Sequence, residues 1–101
     1  MGQTIEIGNV RVVGEVASFT TDRNISSQDG GVFESADEAA AATSYPGLLA
    51  SKLFAAIDGI DHVFAGSNQI VIRRPGGWTD DATAAASSVI EMFYRYYPAQ
   101  P

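Results

Sequence analysis

The sequence predicts an α+β fold, with helices packed on one face of a mostly antiparallel sheet and an extra N-terminal hairpin. Three observations carry this. Strand-forming residues fill both the first twenty positions and the segment 62–73. Two stretches between and after them place apolar residues three and four apart. Glycines and prolines punctuate these runs where chains turn or helices stop.

The elements follow in order. "TIEIGNVRVV" reads as a hairpin, with Gly8-Asn9 as a two-residue turn suited to positive φ. "EVASFTTD" continues in extended residues, with Val16 and Phe19 apolar, and "NISSQDGG" is a loop. "GVFE" is a short strand. Ser35 followed by Glu38 is a capping box that opens an alanine-rich helix. In "SYPGLLASKLFAAI", Pro46 suits the first turn, and Leu49, Leu53 and Ile57 form one apolar stripe flanked by Ala50 and Phe54. Gly59 fits the helix stop.

A second hairpin follows. With Gly66-Ser67 as its turn, Val63 would oppose Ile70 and Phe64 would oppose Gln69. Val63, Ala65, Ile70 and Ile72 then share one face; His62, Phe64 and Val71 share the other. "RRPGGW" ends the strand, and Thr79 caps the last helix, with Asp80 and Asp81 in its first turn. Ala82, Ala85, Ala86, Val89, Ile90, Phe93 and Tyr97 are spaced to face the sheet, and Pro98 ends the helix. The whole, 1–101, reads as a single domain, with 1–14 as the additional hairpin.

Composition narrows the function classes. The net charge is −6 with only six Lys and Arg, which argues against nucleic acid and against an anionic membrane surface. No cysteine is present, which removes disulfides, thiol catalysis and thiolate-held zinc or iron–sulfur centres. The N-terminus lacks a basic segment followed by an apolar core, and no apolar run is long enough to span a bilayer, so a soluble cytoplasmic protein is expected.

Candidate chemistry is sparse. His62 is the sole histidine; Asp58 and Asp61 are near it in sequence but need not converge on it. Asp80-Asp81 reads as helix N-terminal charge rather than an acid–base pair. No serine sits in a nucleophile elbow, and "GSNQ" and "PGG" are too short for a phosphate loop. In "MFYRYYP", Tyr94 and Tyr96 fall off the core stripe, with Arg95 as the nearby cation. What remains is the apolar second face of the hairpin. It is covered either by the chain's own N-terminal strands and loops or by another protein.

The stretch "LLASKLFAAIDGIDHVFAGSNQIVIRR", followed by "GGW" and a helix, resembles the N-terminal domain of the Nfu/NifU-like iron–sulfur scaffold proteins. The matching residues are Leu53, Phe54, Ile57, Gly59, Ile60, Val63, Phe64, Gly66, Ile70, Ile72 and Trp78. "VFESADEAA", Val32 to Ala40, is similar to the family's entry into its first helix, and the likeness runs from about Glu15 onward. The chain departs from the family in having "RVVGEV" where a Thr-Pro-Asn-Pro-Asn stretch is usual, and in lacking the C-terminal Cys-x-x-Cys domain. The resemblance therefore implies a non-enzymatic accessory or protein-interaction module of iron–sulfur cluster assembly or delivery, without catalytic residues, metal or cofactor of its own. Its expected partner is an assembly component or an acceptor protein. The expected contact surface is His62, Phe64 and Val71, with Trp78 near its end. A small-ligand binder or enzyme, with His62 meeting Asp58 or Asp61 in a pocket, is the alternative; a self-associating structural domain is a third.

Overall fold

The structure, a computed structural model, describes residues 6–22, 30–42 and 44–93. Among these residues, five strands and three helices follow in the order β1 (Ile7–Val13), β2 (Val16–Thr21), β3 (Gly31–Phe33), α1 (Ala36–Ala41), α2 (Tyr45–Ala56), β4 (His62–Gly66), β5 (Gln69–Arg73) and α3 (Asp80–Glu91). The strands form one antiparallel sheet in the order β1-β2-β5-β4-β3. The helices cover one face, so the α+β expectation holds. No described helix is long and apolar enough to cross a membrane.

Strand alternation decides the core. Ala17 and Phe19 of β2, Ile70 and Ile72 of β5, Val63 and Ala65 of β4, and Phe33 of β3 all point to the helix side and are buried. They meet Leu49, Leu53 and Ile57 from α2, and Ala82, Ala86, Ile90 and Phe93 from α3 and its end. These helical residues recur at three and four, as the sequence spacing requires. Ala85 and Val89 are partly buried beside them. Tyr97 and Pro98 lie outside the described residues.

The caps fall where the sequence places them. Ser35 Oγ accepts from Glu38 N at 3.1 Å, and Thr79 Oγ1 accepts from Ala82 N at 3.1 Å. Glu38 reaches back one residue further than a regular capping box: its Oε2 accepts from Glu34 N at 2.7 Å. Ser44 caps α2, with Pro46 in the first turn. Gly59 has φ +84 just beyond the α2 end, the left-handed geometry expected of a helix stop.

Two turns differ from expectation. Gly8-Asn9 is not a hairpin turn: no reversal occurs within residues 7–13. They form one strand paired along β2 through the Gly14-Glu15 turn, where Gly14 takes φ +59. Ile7 pairs with Thr21 and Asn9 with Thr20, which leaves Gly8 as the extra residue of a bulge. Both dipeptides permit tight turning, and the longer ladder wins, because turning at Gly14 lets every residue from Asn9 to Val13 find a partner. In the second hairpin the turn is Ser67-Asn68, so Val63 pairs with Ile72, Phe64 with Val71 and Gly66 with Gln69. Asn68 fixes it: its Nδ2 donates to Thr21 O at 3.2 Å, and its own carbonyl accepts from Thr21 N at 2.9 Å. Ser67 takes φ +51 in consequence. The shift from the expected register is two residues per pair, so the faces stay as expected.

Leu53 is fully buried in the middle of α2, the helix that packs against β3 and β4. Leu53→Ala should lower the unfolding free energy by about 2–5 kcal/mol, read by urea denaturation; an unchanged midpoint would show that α2 does not carry the core.

Candidate functional site, the open face of the sheet

The face opposite the helices is the candidate site. Across it runs a row in strand order β3-β4-β5-β2-β1: Val32, Phe64, Val71, Ser18 and Arg11. Val32 is 53% exposed; Phe64, Val71 and Ser18 are half-buried; Arg11 is exposed. Among the described residues no element packs over this row. β1 extends the sheet sideways instead of folding over it, so the cover expected from the N-terminal strands is not provided by β1.

Phe64 has a built seat. A methyl group at Gly66 would stand 2.8 Å from Phe64 Cζ, and one at Gly30 would stand 3.3 Å from Phe64 Cε1. The ring therefore lies along its own strand over Gly66 and beside Gly30. Sequence reasoning takes Gly66 for a turn residue; its role is to leave room for the ring, and the i, i+2 spacing of Phe64 and Gly66 on one strand face is the signal that could have shown it.

A second row on this face, His62, Arg73, Val16 and Val13, holds charge at its β4–β5 end and exposed valines at its β2–β1 end. His62 Nδ1 is 3.9 Å from Glu34 Oε2. Arg73, its neighbour on β5, has Nε 3.6 Å from Glu15 Oε1 and Nη1 3.8 Å from Asp61 Oδ2. The carboxylate that meets His62 is thus Glu34, from β3's end, and neither Asp58 nor Asp61. Asp58 serves through its carbonyl, which accepts from Arg74 Nε at 2.9 Å. No three His, Asp or Glu side chains gather in metal-binding geometry among the described residues.

Trp78 does not join His62, Phe64 and Val71. Its ring meets Phe19 edge-on, with centroids 6.4 Å apart, on the helix side of the sheet. Its Nε1 donates to Glu15 O at 2.9 Å. The same carbonyl accepts from Arg74 N at 2.8 Å, and the Glu15 carboxylate accepts from Gly76 N at 3.1 Å. The indole therefore fastens the segment after β5 to the β1–β2 turn. Closeness in sequence to a strand end does not tell which side of the sheet the chain takes next.

Other concavities offer less. A groove of about 360 Å³ runs between α2 and α3, lined by Lys52, Ala55, Ala56, Ser88, Val89 and Met92. It brings no pair of acid and base together. Asp80 and Asp81 stand in the first turn of α3 as helix N-terminal charge. Tyr94, Arg95 and Tyr96 lie outside the described residues.

No protein-family model and no curated protein matches this chain. Among solved structures, the crystal structure of protein SAV1430 from Staphylococcus aureus is similar, with a TM-score of 0.62 over 85% of this chain and 99% of that one. The identity is 8%, so the likeness shows a shared fold and carries no activity with it.

The seat of Phe64 is testable. Gly66→Ala should destabilise the fold by about 1–3 kcal/mol through the ring it displaces. Adding Phe64→Ala should recover part of that loss, a coupling read from a double-mutant cycle in urea. Strictly additive losses would mean that the ring does not rest on Gly66.

Proposed function

We propose that this chain is a non-enzymatic, cytoplasmic docking module of the Nfu N-terminal type. In this reading it holds an iron–sulfur assembly component or an apo-acceptor against the open face of its sheet. The observation that carries the reading is the row of Val32, Phe64 and Val71, apolar and partly exposed on a face that no described helix covers. The residue pattern from about Glu15 onward supplies the biological setting, since it resembles that family.

The chemistry of the chain limits its part. The 101 residues contain no cysteine, so in this reading any cluster stays on the partner's thiolates. The module contributes position. An aromatic anchor with an aliphatic residue on each side, bordered by paired charges, has the make-up of a small interface centre with a polar rim.

Binding of purified cluster scaffolds and apo-acceptors, measured by calorimetry, tests this. Phe64→Ala and Val71→Asp should each weaken the complex at least about tenfold while circular dichroism stays native. Asp81→Asn, on the helix side, should leave it unchanged. Equal affinity of all variants, or no binding by any assembly component, would overturn the reading.

A further inference from the structure

We infer that in the absence of another partner the open face is covered by a second copy of this chain, the two sheets packing face to face about a two-fold axis that runs along β5. The inference concerns the same face as the docking reading but not the identity of any iron–sulfur partner.

The first argument is shape. β5 is the central strand in the order β1-β2-β5-β4-β3, and Val71 is its middle residue. An axis along β5 places Val71 against its own copy and exchanges β4 with β2, and β3 with β1. Phe64 then faces Ser18 of the second copy, with Thr20 next to it on the side to which the ring leans. The largest side chain of the face meets two of its smallest, twice over. Val32 meets the aliphatic stem of Arg11 in the same way. Sheets packed like this lie about 10 Å apart, room for one interdigitated layer of side chains.

The second argument is charge. Arg11 is exposed on β1 and forms no ion pair among the described residues. Glu34 stands just past β3, with its side chain 71% exposed on this face beside His62. The axis brings β1 over β3 of the second copy, so each Arg11 lies within reach of a Glu34 across the interface. Six of the other acidic groups favour the same arrangement. Asp37, Glu38, Asp58, Asp80, Asp81 and Glu91 lie on or beside the helices, against Lys52 and Arg74. Face-to-face packing turns these excess negative charges outward and keeps the two acidic layers as far apart as the molecule allows. Arg73, on β5 like Val71, meets its own copy across the axis, and each Arg73 is already matched by Glu15 and Asp61 of its own chain.

Area sets the strength. Five strands about 4.8 Å apart and five residues rising about 3.4 Å each span roughly 24 by 17 Å, about 400 Å² per copy. The pair buries about 800 Å², below the range of stable interfaces, so the dimer is weak and reversible.

Sedimentation equilibrium of the whole chain from about 10 µM to about 1 mM tests this, with no other protein present, so its failure would leave the docking reading standing. The mass should rise from monomer towards dimer across that range. Arg11→Glu and Glu34→Arg lie on the surface and should each weaken association at least about fivefold, and the double exchange should restore it. Ser18→Phe should abolish it by filling the place Phe64 takes. A monomer at the highest concentration, association that Ser18→Phe leaves intact, or a double exchange that fails to restore it would overturn the inference.

Discussion

Alternate residues of a strand must point to opposite faces, and the described helices all pack on one of them. Most else follows from that. Phe19, Ile70, Ile72, Val63 and Ala65 have to fall in phase on three adjoining strands, because slipping one strand by one residue would put Ser18 or Val71 under the helices and expose the core. The phase is held at both ends of the β2–β5 pair. At one end Asn68 exchanges hydrogen bonds with Thr21. At the other, the Glu15 carbonyl accepts from both Arg74 N and Trp78 Nε1. Neither clasp belongs to the apolar pattern, yet together they fix which residues the pattern buries.

That division explains what was legible in the sequence. Helix caps are local, so Ser35, Thr79 and Gly59 could be read from a few residues each. The apolar stripes of α2 and α3 were readable for the same reason. The faces of the β4–β5 hairpin were readable even with the wrong turn, since moving the turn by one residue shifts partners by two and leaves each side chain on its face. The β1 strand was not readable. Gly8-Asn9 and Gly14-Glu15 are both good turns, and the choice depends on β2, which lies beyond either. The side of the sheet that Trp78 takes was not readable, because a chain leaving a strand can go to either side, and only the contact with Phe19 decides. The candidate site was half legible: the sequence names His62, Phe64 and Val71, but not Glu34 beside His62, nor Val32, Ser18 and Arg11 completing the row. Those come from three other strands, brought in by pairing alone.

The same one-sidedness separates what holds the fold from what is free to make contacts. On the helix side the residues of β2, β4 and β5 are fully buried, whereas the open face keeps its own at intermediate or full exposure. Substitution there removes less burial, so residue choice on that face is less bound by folding. Phe64 is the exception. Its ring rests over Gly66 and beside Gly30, two positions where any side chain would intrude. A free aromatic side chain loses rotamer freedom when a surface closes on it, a cost of about 0.5–1.5 kcal/mol. A ring already seated has lost most of that freedom on folding. The glycines beneath Phe64 thus shift part of the cost of contact from the encounter to the fold, where the large, well-packed opposite face can offset it.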